Sequence, residues 1–238
     1  MTGLFERVRS AVSPKARLQR AYRQMQGDER RLGFPVVAKA AQRGDVEAQY
    51  RVGRAYLDGN GVPPSRAMAA QWLERAAQSG KIEAQATLAA LYLTGAGAGH
   101  ANTQGAGLFA EAFPGEPDFT QAVRWATPAA EAGSAEAQAL LAYVMTSGPE
   151  ALRDLPAADE WYRRSAAAGC AQGSLGHGLA LLRHAATDED RQAGAVEIAK
   201  AAEAKLPLGL YLLGVMTAAG TGVAADQAAA SQLYRQAA

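Results

Sequence analysis

The residues that could do chemistry are few and scattered. Cys170 is the single cysteine, and the three histidines are His100, His177 and His184. One thiol excludes an internal disulfide framework and a cysteine-built zinc site. No histidine stands at ligand spacing from a carboxylate or from Cys170, so surface or packing roles are expected of all three. Asp188-Glu189-Asp190 reads as a solvated loop ahead of a helix start, where the helix dipole favours negative charge. A divalent ion would need more fixed oxygen ligands. Gly95-Ala96-Gly97-Ala98-Gly99 has the glycine content of a phosphate-cradling loop, but it follows a helical pattern and lacks the P-loop lysine. Cys170 falls at a predicted helix start. With no base near it in the sequence, a packing role is expected. No Ser/His/Asp or Cys/His set can be assembled, so the expectation is no catalysis, no metal and no cofactor within these residues.

What the chain does contain is a repeat. Val52-Gly53-Arg54-Ala55-Tyr56-Leu57-Asp58-Gly59-Asn60-Gly61-Val62 returns in frame at residues 214–223, and more loosely at 88–97 and 141–148. Gly44 and Gly80, Gly133 and Gly169, and Gly169 and Lys205 are each 36 residues apart. Gly80 to Gly133 is longer by 17, which places an insertion in the second unit at about 98–118. Each unit reads helix, glycine turn, helix, turn. A period in the mid-thirties built from two short helices predicts a solenoid of hairpins, since one hairpin cannot bury its apolar face alone.

Composition agrees. Of 238 residues, 49% are hydrophobic and 20% charged, enough apolar content for a sizeable core. Alanine dominates and β-branched runs are scarce, which favours helix. The net charge of +1 argues against a nucleic-acid binder. Charge is uneven, however: residues 1–43 carry ten Lys/Arg against Glu6, Asp28 and Glu29, a net of +7. No apolar run approaches a membrane span and the N-terminus lacks a signal-peptide core, so a cytoplasmic chain is expected.

Within residues 1–12, Leu4, Phe5, Val8 and Val12 share one helical face, a pattern that leaves open a weak contact with a membrane surface. Ser13-Pro14 starts a second helix, with Leu18, Ala21, Tyr22 and Met25 on one face and Gly27 suited to a cap. The simpler reading is a capping helix over the first hairpin. Residues 33–43 look like the lone second helix of a degenerate unit. The organisation is thus a basic N-terminal segment and capping helix at 1–33, then the repeats at 34–238.

From Gly44 onward the frame is regular. Four positions into each unit a small residue recurs (Ala48, Ala84, Ala137, Gly173, Gly209), and nine in another (Gly53, Ala89, Ala142, Gly178, Gly214). Small residues there let two helix backbones approach closely. An apolar residue comes eight in (Val52, Leu88, Leu141, Leu213), with His177 the exception. The second helix carries Trp72, Trp125 or Trp161 as a wedge, then a small pair such as Ala76-Ala77, Ala129-Ala130, Ala166-Ala167 or Ala201-Ala202.

This frame, small-x3-L-G-x2-Y-x2-G-x-G-V followed by A-x4-W-[LY]-x2-A-A-x2-G and best copied in residues 48–80, resembles the Sel-1-like repeat family, relatives of tetratricopeptide arrays. The resemblance covers roughly residues 34–238. It implies an all-α, right-handed α/α superhelical solenoid of about five hairpins with an N-terminal capping helix. It also implies a bacterial adaptor that binds a protein or peptide. The fourth unit lacks turn glycines and has Glu197 in place of the aromatic, so it is expected to be the least regular. No polar cap closes the last hairpin, so a continuation past residue 238 is expected.

Positions six, seven and ten of each first helix fall opposite the framework and are expected to line a concave groove. They read Tyr50, Arg51, Arg54; Ala86, Thr87, Ala90; Ala139, Leu140, Tyr143; Leu175, Gly176, Leu179; and Tyr211, Leu212, Val215. The expected partner-binding residues are Tyr50, Arg51, Arg54, Leu140, Tyr143, Leu179, Tyr211 and Val215, with the tyrosines as anchors and the arginines taking an acidic group. Phe109 and Phe113 in the insertion are equally suited to binding or to pinning their own loop. A different class stays open: a regulatory or oligomerising arm of a longer enzyme whose catalytic domain lies beyond residue 238. A homo-oligomer is compatible with either.

Overall fold

A computed structural model of the chain describes residues 13–27, 30–95 and 116–238. Residues 1–12, Phe109 and Phe113 lie outside them, as does most of the glycine run after Gly95. Among the described residues every regular element is helical. The order is α1 (Pro14–Gln26), α2 (Arg30–Gln42), α3 (Val46–Asp58), α4 (Arg66–Gln78), α5 (Ile82–Leu93), α6 (Phe119–Glu131) and α7 (Ala135–Ser147). A short 3-10 turn, Glu150–Leu152, precedes α8 (Leu155–Ala167), α9 (Ala171–His184), α10 (Asp188–Glu203), α11 (Pro207–Ala219) and α12 (Gln227–Ala237).

The starts and stops are chemically explicit. Asp45, Ser65, Ser134 and Asp154 each accept the N–H three residues on, satisfying a donor the helix leaves free. Between units the chain turns through the left-handed region, at Gly44, Gly80, Gly133 and Gly169 and, without glycine, at Lys205. Gly59 and Gly220 end α3 and α11 in the same conformation.

The chain forms two compact units, 1–122 and 123–238, with α6 crossing the division. In the first, α1 packs on α2, α2 on α3, α3 on α4 and α4 on α5. Ala21, Tyr22, Met25, Val37, Val52 and Trp72 share one core. Residues 33–43 are therefore not a lone helix. They belong to α2, which begins at Arg30 and pairs with α1 as a complete hairpin. A Cβ on Gly33 would lie 2.5 Å from the Ala21 carbonyl, so glycine is what allows that approach. Gly27 ends α1 in extended backbone rather than in a left-handed cap.

In the second unit α7 packs on α8, α8 on α9, α9 on α10, α10 on α11 and α11 on α12. The expected framework positions are buried: Ala137, Leu141, Ala142, Gly173, Gly178, Gly209 and Gly214. Two expectations need correcting. The small pair of the third unit is Ser165-Ala166, not Ala166-Ala167: Ser165 is fully buried, Ala167 is exposed, and the Ser165 hydroxyl donates to the Ala135 carbonyl at 2.6 Å. The fourth unit, expected to be the least regular, folds as a complete hairpin. A Cβ on Gly178 would lie 2.9 Å from the Gly194 carbonyl and one on Gly194 would lie 3.2 Å from the Gly178 carbonyl, so α9 and α10 cross at a glycine pair. Asp188, Glu189 and Asp190 form the first turn of α10, behind Thr187 and its capping box, which replaces the missing turn glycines.

Trp72 and Trp125 are buried as wedges, while Trp161 is half-exposed. A guanidinium covers each ring: Arg75 on Trp72, Arg124 on Trp125 and Arg164 on Trp161.

Candidate partner-binding surface

The first helices of the second unit carry the surface of interest. Their small framework residues are turned into the stack, which leaves the position ten residues into each repeat facing solvent. Tyr143, Leu179 and Val215 hold that position, 36 residues apart, and are 48%, 42% and 40% exposed. Tyr211, one helical turn before Val215, is 51% exposed. Its ring lies 5.8 Å from that of Tyr234. The two rings, with Pro207, Leu208, Ala237 and Ala238, line an open apolar hollow of about 540 Å³ at the α11–α12 hairpin. Leu140 is half-buried on α7.

Not every expected groove position reaches this surface. Ala86 and Ala139 are buried, and so is Gly176, which lies beneath the Tyr162 ring. The same register position is therefore surface where the side chain is a tyrosine and interior where it is alanine.

The first unit handles its candidates differently. Arg51 Nε donates to Glu47 at 2.6 Å, and its guanidinium sits 4.3 Å from the centre of the Tyr22 ring. That contact ties α3 to α1. The Tyr22 hydroxyl donates to Asp45 at 3.3 Å. Burial, reinforced by Asp45, pushes the Tyr22 phenol well above its ordinary range. Lys81 donates to both Glu47 and Glu83, and its ammonium stands 5.5 Å from the Tyr50 ring centre. The Glu47 hydrogen bond raises the Lys81 pKa. Arg54 is exposed and pairs along its own helix with Asp58 at 3.3 Å. Arg51 and Tyr50 are thus held by neighbours, and Arg54 is the most accessible of the three.

Two contacts escaped the sequence reading. His184 Nε2 lies 3.2 Å from Asp159 Oδ2, and Arg183 donates to the other Asp159 oxygen at 2.6 Å. The histidine therefore does meet a carboxylate, across two helices and 25 residues of chain. Equally unforeseen is a glutamine latch: Gln49, Gln85 and Gln138 each donate to the carbonyl eight residues back, in Ala41, Ala77 and Ala130. Cys170 is buried at the N-cap of α9, in the packing role expected of it, with its thiol 3.3 Å from Gln172 Oε1. Among the described residues no three His, Cys, Asp or Glu side chains gather as a metal site, and no helix is long and apolar enough to cross a membrane.

The sequence matches the Sel1 repeat over residues 46–81, 82–112, 105–134, 135–170 and 207–238. The chain belongs to the Sel1 repeat family. The matches pass over 171–206, the unit whose turn glycines are missing, although a full hairpin forms there. Two solved structures resemble this Sel1 repeat chain closely in fold. One is a protective antigen of uropathogenic Escherichia coli with an SLR fold, 26% identical, TM-score 0.70, covering 98% of this chain and 47% of its own. The chain thus spans about half the length of that protein. The other is a Sel1 repeat protein from Oxalobacter formigenes, 20% identical, TM-score 0.70, covering 93% of this chain and 81% of its own. No curated protein sequence matches. Sel1 repeat proteins generally act as protein–protein interaction scaffolds.

Proposed function

We propose that this Sel1 repeat protein is a non-catalytic scaffold that captures an apolar segment of a partner protein on the first helices of its second unit. The observation that carries this is the column Tyr143, Leu179, Val215: three apolar side chains at one register position, each about half exposed. Apolar groups held in water at a repeating position leave free energy unclaimed, and contact with a partner recovers it at about 25 cal/mol per Å² buried. Tyr211 and its hollow supply a rigid aromatic anchor beside the column. In the first unit, exposed Arg54 would take an acidic group. Arg51 is less suited, because Glu47 and Tyr22 already hold it.

The test uses the whole chain as bait in a bacterial extract, followed by titration of the purified partner against wild type and a Tyr143→Ala, Tyr211→Ala double variant. Both tyrosines are half exposed, so helicity by circular dichroism should be unchanged. Affinity should fall by roughly tenfold or more. Equal affinity for the double variant would remove this face from consideration.

A further inference from the structure

The α1–α2 hairpin carries a surface of a different character. Residues 13–43 carry eight Lys/Arg against Asp28 and Glu29, and Lys15, Arg20, Arg23, Arg31, Lys39 and Arg43 are all exposed. On α2 the side chains of Leu32, Val36 and Lys39, with Arg43 just past the helix end, follow the spacing i, i+4, i+7, i+11 and so share one strip. That strip lies opposite the buried Gly33, Val37 and Ala41. Leu32 is 65% exposed and Val36 43%, the former more than any other large apolar side chain described.

We propose that this hairpin docks on an anionic lipid surface, with Leu32 and Val36 entering the headgroup boundary and the basic side chains meeting lipid phosphates. The charge supplies the complement, and the apolar pair selects a bilayer over an acidic polymer. A polyanion would reward the cations but would leave Leu32 and Val36 in water, whereas an interface rewards both. A helix of 13 residues is about 20 Å long, which suits lying in the interface plane rather than crossing it. This proposal is independent of the tyrosine-bearing face.

The experiment is co-sedimentation of the full chain with phosphatidylcholine vesicles, with and without about one-third phosphatidylglycerol. Binding should be at least about tenfold stronger to the anionic vesicles. It should fall steeply toward 1 M salt, where screening length drops to about 3 Å. A Leu32→Ala, Val36→Ala variant should keep wild-type helicity and bind several-fold more weakly. A Lys39→Glu, Arg43→Glu variant should lose most binding. Wild-type binding by the Leu32→Ala, Val36→Ala variant would overturn the proposal, since any attachment would then lie elsewhere. So would binding to DNA or polyglutamate with no binding to anionic vesicles, and so would no binding to either.

Discussion

Gly176 of α9 faces Tyr162 of α8 so closely that a Cβ on the glycine would lie 2.2 Å from Cδ1 of the ring. The aromatic of one hairpin is seated directly on the backbone of the next. Gly176→Ala should therefore destabilise, although alanine is the better helix former by roughly 1 kcal/mol. Overpacking costs about 1–3 kcal/mol, partly relieved because Tyr162 is half-exposed, so after the helix-propensity gain a net loss of up to about 2 kcal/mol is expected in urea denaturation. In the background of Tyr162→Ala the same change should become neutral or stabilising. Simple additivity of the two changes would show that the ring is not what excludes a side chain there.

Lys205 occupies the left-handed turn that Gly44, Gly80, Gly133 and Gly169 occupy elsewhere, at φ 59°. A side chain pays roughly 1–2 kcal/mol in that region, and glycine's freer unfolded chain returns part of it. Lys205→Gly should raise stability by about 0.5–1 kcal/mol, read as a higher melting temperature. A lower one would mean that the lysine makes a compensating contact.

Thr187 and Asp190 form the capping box that starts α10. The threonine hydroxyl accepts the Asp190 N–H, and the Asp190 carboxylate accepts the N–H groups of Thr187 and Ala186. Thr187→Ala should cost about 1 kcal/mol. The hydrogen bonds from the Thr187 and Ala186 amides hold the Asp190 carboxyl below the usual range. A depressed carboxyl stabilises the fold above its unfolded pKa of about 3.9 and loses that contribution as pH falls through the folded value. The gap in melting temperature between wild type and Asp190→Asn should therefore be constant above about pH 5 and shrink below pH 4. A gap that widens on acidification would contradict this assignment.

How far the sequence reveals this fold depends on what each feature leaves in the chain. The hairpin frame is legible because close backbone approach requires small residues, and Gly53, Ala89, Ala142, Gly178 and Gly214 recur at one position. The slip at Ser165 comes from alanine itself: Ser165-Ala166-Ala167-Ala168 offers three adjacent small pairs, and only the 36-residue step from Ala129 picks the right one. Exposure is less legible. Ala139 and Tyr211 share a register position, yet one is buried and the other half exposed, because side-chain size and the neighbouring hairpin decide the outcome. The arrest of Arg51 by Tyr22 depends on a hairpin, α1–α2, that no repeat match covers. The Asp159–His184 contact joins positions 25 residues apart with no motif between them.

Gln138 shows a contact that recurs at one register position, shared with Gln49 and Gln85, and an unexpected tolerance. Its amide nitrogen donates to the Ala130 carbonyl at 3.1 Å, but its Oε1 is buried without a hydrogen-bond donor. The Ala130 carbonyl also accepts the Gly133 N–H at 3.0 Å, so losing the glutamine does not leave it bare. The fifth unit carries Leu210 at the equivalent position, buried, with no amide at all. A hydrogen bond worth about 1 kcal/mol is thus set against the desolvation of an oxygen that a leucine would remove. Gln138→Leu should stay within about 1 kcal/mol of wild type, whereas Gln138→Ala, which opens a void as well as losing the bond, should cost about 1–2 kcal/mol. Urea denaturation of the two variants side by side checks this. A leucine variant as unstable as the alanine variant would show that the latch, rather than the packing volume, holds α7 against the end of α6.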